Sequence, residues 1–223
     1  MLLSSHESAL KSASKIHNSD ITTMYIPKHF ENTDTKEILE FIQKYSFGII
    51  VTAQNNVPFA THMPFAVELA GDDLILTTHI AKANPQVEQL FDNEVMVIFS
   101  EPHAYVSPKH YEKEQSVPTW NYMAVHAYGK ATLIDNADTA LPLLEKMIRQ
   151  YDMGYLAQWD GLPMEYKIKM LKGIVVFEIK VTSLQAKNKL SQNRSETERE
   201  NIIKALEKSA DGNEVAIAEY MKK

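Results

Sequence analysis

The pattern of apolar positions divides the chain into short alternating elements. Ile38, Leu39, Phe41, Ile42 and Tyr45 recur at helical spacing and predict a helix from Thr33 to Tyr45, with Asp34 and Glu37 as a capping pair. Phe47 to Ala53 is an apolar, β-branched run, Asn55-Asn56 is a turn signal, and Val57 to Leu69 resumes an extended pattern. These read as two antiparallel strands. Pro58 and Pro64 have no N–H to give a ladder, so the second strand is expected at a sheet edge or bent around them. Gly71-Asp72-Asp73 makes the next turn, and a strand from Leu74 to His79 follows. Asn84-Pro85 opens a predicted helix to Phe91. The strand Glu94 to Ser100 is apolar at its centre without alternation, which predicts burial on both faces.

The second half has longer periods. Glu101 to Pro118 is rich in proline and reads mostly as loop. Thr119 to Ile134 alternates loosely as one long strand, part of it buried on both sides. Leu141, Leu143, Leu144, Met147 and Ile148 predict a helix over Ala140 to Tyr151, with Asp138 as its cap, and a short helical segment surrounds Tyr166 to Leu171. A strand from Ile174 to Leu184, a polar loop from Asn188 to Arg194, and two helices, Thr197 to Lys208 and Asn213 to Met221, complete the chain. About six strands with mostly hairpin-length connections predict an α+β protein built on an antiparallel barrel.

Composition narrows the chemistry. The 223 residues suit one large or two small domains, and the absence of cysteine excludes disulfides, iron–sulfur clusters and thiolate catalysis. A net charge of −6 opposes broad attraction to nucleic acid. No apolar run approaches the roughly 20 residues of a membrane span, so a soluble protein is expected. Met1 to Thr23 is rich in Ser and Lys without an aromatic residue, and reads as a disordered extension or an upstream start ahead of Met24.

The stretch Leu74 to Phe91 carries the strongest chemical signal. A strand ends in Thr77, Thr78 and His79, Lys82 follows, and Asn84-Pro85 starts a helix whose N-terminal N–H groups favour an anion. The same residues also suit an ordinary capped surface helix with a solvated lysine. The cluster Pro118-Thr119-Trp120-Asn121-Tyr122 offers rings to stack on a planar ligand and an amide to bind it, or equally a core or subunit contact. His62, His79, His103, His110 and His126 lack the spacing of a zinc motif, and no Gly-x-Ser-x-Gly elbow is present. The closing helices mimic a helix-turn-helix, but Glu214 and Glu219 on the second oppose contact with phosphates.

Several ordered motifs together resemble the PaiB family: Met24-Tyr25-Ile26-Pro27-Lys28-His29-Phe30, Ala60-Thr61-His62-Met63-Pro64-Phe65, His79-Ile80-Ala81-Lys82-Ala83-Asn84-Pro85-Gln86, Pro102-His103-Ala104-Tyr105-Val106-Ser107-Pro108, Pro118-Thr119-Trp120-Asn121-Tyr122 and Lys189-Leu190-Ser191-Gln192-Asn193-Arg194. The resemblance runs from Met24 to about Met221. Members are FMN-binding negative transcriptional regulators, similar to the wider FMN-binding split-barrel group that includes pyridoxamine phosphate oxidases. It implies an antiparallel split barrel with peripheral helices over 24–195, a C-terminal helical hairpin over 196–223 packed on the barrel or a partner, and a cytoplasmic homodimer with flavin in a groove between subunits.

By the same resemblance Lys82 is the counter-charge of the FMN phosphate, Thr77 and Thr78 are hydroxyl donors, and His79 and Asn84 flank the phosphate. The strand Thr61, His62, Met63 runs beside the flavin ring. Trp120, Asn121 and Tyr122 close the groove, and Gln192 and Arg194 fold over the cofactor. The oxidases bring several arginines to the phosphate, whereas here Lys82 stands nearly alone. The leading functional expectation is a flavin-binding regulator, with DNA as a partner by family analogy only. The alternatives are a flavin-dependent oxidoreductase or flavin reductase, in which FMN carries the electron chemistry, and haem binding or degradation with His62, His79 or His126 as iron ligand.

Overall fold

The computed structural model describes residues 24–71 and 73–223; the expected extension Met1 to Thr23, and Asp72 of the predicted turn, lie outside the described residues. The elements run β1 (Glu31–Asn32), α1 (Thr35–Lys44), β2 (Phe47–Gln54), β3 (Val57–Pro64), β4 (Ala66–Ala70), β5 (Asp73–Ala81), β6 (Glu94–Phe99), β7 (His103–Val106), β8 (Thr119–Ile134), α2 (Ala137–Tyr151), α3 (Leu156–Gly161), α4 (Met164–Leu171), β9 (Ile174–Lys189), α5 (Glu196–Leu206) and α6 (Gly212–Lys222). Strand neighbours follow the order β3-β2-β6-β8-β9-β5-β4, with β7 added to β8 and β1 to β9. The chain forms two compact units, one of 35–99 and 126–184, the other of 24–34, 100–125 and 185–223. Strands β8 and β9 each change unit along their length.

In the first unit the β2–β3 hairpin turns at Asn55 and Asn56, which both have positive φ (52° and 62°). Asparagine tolerates that region, and paired positive φ values match the twist of a two-residue hairpin. Among the described residues strand β3 has β2 as its only neighbour in the sheet order, the edge position that its prolines allow. Phe65, which separates β3 from β4, is fully buried and meets Phe99 edge to face at 5.5 Å. Leu74, Leu76, Val97, Phe99, Phe177 and Ile179 complete the interior, and full burial of each such side chain is worth about 1.5–3 kcal/mol. In β6 the residues Val95, Val97 and Phe99 are buried while Met96 and Ile98 are half-buried, so its second face is less enclosed than the unbroken apolar run predicts.

Gly129 lets β8 approach β9, because a Cβ there would run into the Lys180 carbonyl. Helix α2 begins earlier than its periodicity predicts: Asn136, rather than Asp138, is the cap, accepting from the Asp138 N–H at 2.8 Å. Ala140 and Leu143 of α2 pack on Val176 of β9. At its far end the Tyr151 hydroxyl bonds Ser46 Oγ at 2.7 Å and donates to the Phe65 carbonyl at 3.1 Å.

In the second unit, the stretch expected to be mostly loop contains β7, paired antiparallel with the start of β8 from His103↔Tyr122 to Val106↔Thr119. Strand β9 runs five residues beyond its predicted end, to Lys189, and its extension pairs with β1 through Glu31↔Lys187 and Asn32↔Ala186. Helices α5 and α6 pack on one another, and α6 on β7. Ile202, Ile217 and Ala218 are fully buried in the hairpin.

Candidate functional site

The Asn84-Pro85 signal produces a 3-10 turn of five residues, Pro85–Gln89, instead of the α-helix expected to Phe91. Asn84 Oδ1 accepts from the Gln86 N–H at 2.9 Å, so the cap occupies the helix start itself. The other end of the Asn84 amide donates to Thr61 Oγ1 of β3 at 3.1 Å. Gln86 is fully buried, and its amide donates to the Ile50 and Phe59 carbonyls and to Thr52 Oγ1 at 3.2–3.3 Å. The turn is thereby pinned to the β2–β3 hairpin. Lys82 stands at the exit of β5, with its backbone N–H on the Gly173 carbonyl at 2.9 Å. Its side chain is exposed, and no ion pair among the described residues engages its ammonium.

The hydroxyls of β5 are committed elsewhere. Thr78 is fully buried and donates to the Pro64 carbonyl at 2.6 Å, which ties β5 to the end of β3. Thr77, 1% exposed, donates to Glu178 Oε1 at 3.4 Å. His79 is the register partner of Val176, on the face that α2 covers. Its Nδ1 is buried without a partner, and burial lowers its pKa, which keeps the ring neutral. The Thr77 and Thr78 hydroxyls are thus bonded within the fold, and His79 is half-buried. On β3, Met63 is buried, Thr61 half-buried, and His62 exposed with its ring 6.5 Å from Phe47 in a stacked arrangement.

In the second unit two of the sequence motifs interlock. Asn121 is fully buried, accepting from Ser191 Oγ at 3.0 Å and donating to Met221 Sδ at 3.3 Å, so its amide is bonded within the fold. Gln192 is also spent locally: its Oε1 accepts from the Leu190 N–H at 2.7 Å, and its amide donates to the Asn188 carbonyl. This turn contains Ser191 at φ 60°. Arg194 lies 3.9 Å from the Tyr111 ring centroid and 3.8 Å from Glu198. Trp120 and Tyr122 differ from these three. Trp120 is half-exposed, and Tyr122 is partly buried with the Lys187 ammonium 5.3 Å from its ring centre.

Residues 24–183 match the family described as "Putative FMN-binding domain". The Bacillus subtilis protein "Protease synthase and sporulation protein PAI 2", a PaiB protein, is 43% identical over 89% of this chain and 96% of its own length. The chain belongs to this FMN-binding PaiB family. Among solved structures, the flavocytochrome Anf3 from Azotobacter vinelandii superposes with a TM-score of 0.63 at 16% identity, covering 76% of this chain and 74% of that one. The FAD and heme binding protein from Mycobacterium smegmatis does so at 0.57 and 12% identity, covering 71% and 73%. These two agree in fold. The fold class is the α+β antiparallel split barrel that the motifs imply, and FMN is the cofactor of the family.

For an FMN-binding PaiB protein, the donor set at the exit of β5 suits a phosphomonoester. It offers an exposed ammonium without a counter-ion, with the Asn84–Thr61 pair two residues further on, along a strand edge. No group of three or more His, Cys, Asp or Glu side chains among the described residues could hold a metal ion. No helix among them is long and apolar enough to cross a membrane. Sequence reasoning assigned no role to Gln86, Lys187 or Lys189. Gln86 and Lys189 stand inside quoted motifs, but their long-range partners leave no trace in local spacing.

Proposed function

We propose that this PaiB-family protein is a homodimeric flavin-binding regulator whose FMN phosphate rests on Lys82, with the flavin ring along Thr61, His62 and Met63. The observation that supports pairing is a largely apolar sheet face in the first unit. Phe47, Ile49, Val51 and Ala53 of β2 share it with Pro58, Ala60 and His62 of β3 and with Met96 and Ile98 of β6. Phe47 is 63% exposed and the central side chains are half-buried. A largely apolar face of this kind, with Glu94 as the charged residue at its β6 end, suits burial against a second copy. FMN supplies one- and two-electron chemistry when bound. The residues of this chain hold and orient it: Lys82 neutralises the phosphate, Asn84 fixes Thr61, and the edge strand offers backbone groups beside the ring.

Regulation in this reading passes through flavin-dependent contact with another protein in the cytoplasm, not through α6 reading DNA. Ile217, Ala218 and Met221 of α6 are buried, Glu214 and Glu219 lie on the same helix, and the chain carries a net charge of −6. Val51→Lys places a charge in the middle of the apolar face. Sedimentation velocity should then show a monomer of native circular dichroism with weakened FMN binding. A Val51→Lys dimer that binds FMN as the unmodified protein does would contradict the reading.

A further inference from the structure

The outer face of β7, β8 and the end of β9 in the second unit carries Trp120 and Tyr122, which the family resemblance expects at the flavin groove, beside Tyr105, His103, Lys187 and Lys189, to which the FMN site proposed above gives no role. Register places Tyr105 opposite Trp120 and His103 opposite Tyr122, and residues paired in this way share a face. The Trp120 ring lies 5.7 Å from Tyr105 and 5.8 Å from His103. Lys187 and Lys189, two apart on β9, point to one side. Lys187 is only 8% exposed; its ammonium donates to the Tyr25 carbonyl at 3.0 Å and lies 5.3 Å and 5.7 Å from the Tyr122 and Tyr25 ring centres. The Lys189 ammonium donates to the Trp120 carbonyl at 2.7 Å and to the Thr119 hydroxyl.

An ammonium carries three donors. Lys187 spends one and Lys189 two, and neither forms an ion pair among the described residues. Glu31 of β1 is the register partner of Lys187, so one carboxylate stands opposite in the ladder to the two lysines of β9. Covering an ammonium without a carboxylate is costly, and ring faces recover only part of that cost. Burial, and the charge of Lys187 beside it, hold the Lys189 pKa below its ordinary value. An anion would relieve both.

We propose that this face binds a small aromatic anion, a single flat ring bearing a phosphate or carboxylate, with the ring against Trp120 and Tyr105 and the anionic group on Lys189 and Lys187. Trp120 and Tyr105 are 53% and 45% exposed, enough to receive one ring. Two cations on a chain of net charge −6 suit one small anion better than a nucleic-acid strand, which needs many phosphate contacts.

Of the two tryptophans, Trp159 can be replaced, so that Trp159→Phe makes fluorescence report on Trp120 alone. Phenyl phosphate, titrated into this variant with and without saturating FMN, should quench Trp120 saturably in both cases. Inorganic phosphate should compete at least about tenfold more weakly, because it lacks the stacking ring. Lys189→Gln and Tyr105→Ala should each weaken phenyl phosphate by about tenfold or more. Lys187→Met removes a buried cation and tests the same point only if it folds, whereas half-buried Lys189 tolerates glutamine. Linear quenching without saturation overturns the site, as does equal affinity for inorganic phosphate or an unchanged Lys189→Gln titration. Displacement by FMN assigns the face to the flavin and overturns a separate site, and tighter binding of single-stranded oligonucleotide overturns the small-molecule class. Because the readout does not need flavin, failure of the FMN assignment leaves this test intact.

Discussion

Two strands of the first unit carry almost the same polar signature: Thr61-His62 on β3 and Thr78-His79 on β5. Their fates are opposite. Strand β5 lies between β4 and β9, with α2 packed on one face, so Thr78 is fully buried on the Pro64 carbonyl and His79 keeps an unpartnered Nδ1. Strand β3 has one neighbour in the sheet order, so Thr61 stays half-buried on the Asn84 amide and His62 reaches solvent. Residue type proposes chemistry, but position in the sheet decides whether a donor is free to use. Thr78 is bonded within the fold and His79 is half-buried, whereas His62 of the β3 pair is exposed.

Substitutions that separate these roles sharpen the contrast. Thr78→Val keeps the shape but leaves the Pro64 carbonyl buried without its partner, which should cost about 1–3 kcal/mol of stability. Chemical denaturation would measure the loss, and Thr61→Val should lose well under half as much. Lys82→Ala should weaken FMN roughly tenfold through loss of a charge-assisted contact while leaving stability nearly unchanged. Lys109→Ala, a basic residue in the second unit, should leave FMN affinity as it was, and equal losses in the two variants would remove Lys82 from the phosphate site.

The histidine of β5 predicts a pH effect of intermediate size. Burial lowers the His79 pKa in the folded protein, whereas the unfolded chain takes up its proton near the ordinary value of about 6.5. The unfolded state therefore binds more protons as pH falls through that value, and the stability present above it is lost toward the lower folded-state pKa. His126 and His110 are shifted in the same direction. Denaturation midpoints from pH 7.5 to pH 5 should decline for the unmodified protein and decline less for His79→Phe, and parallel curves would contradict the burial argument. The smallest effect belongs to the partly exposed Lys146–Glu68 pair between α2 and β4. Glu68→Gln should change stability by under about 1 kcal/mol and FMN affinity not at all.

The sequence made some of this contrast visible. The prolines of β3 announced an edge because a missing N–H is a local property, and β8 was legible from Thr119 to Ile134 as one long β-prone run with loose alternation. Strand β7 was not, because its four residues sit in a proline-rich stretch and become a strand only by pairing with β8. The alternation of β9 fades after Leu184, and its last turns of pleat rest on β1 and the Tyr25 and Tyr122 rings around Lys187. At the site, Lys82 and Asn84 stood out through charge and capping chemistry. The structural role of Thr78 was not legible, because nothing near it in sequence reveals that the Pro64 carbonyl, fourteen residues earlier, takes its hydroxyl. The bonds of Asn121 were hidden for the same reason, its partners Ser191 and Met221 lying far along the chain.

The most direct test is equilibrium dialysis of FMN against Thr78→Val and Lys82→Ala, at a temperature where both variants are folded. Thr78→Val should bind FMN as the unmodified protein does despite its lower stability, and Lys82→Ala should bind roughly tenfold more weakly despite its intact fold. Loss of FMN binding in folded Thr78→Val, with full binding in Lys82→Ala, would place the ligand on β5 and contradict the assignment to the edge strand.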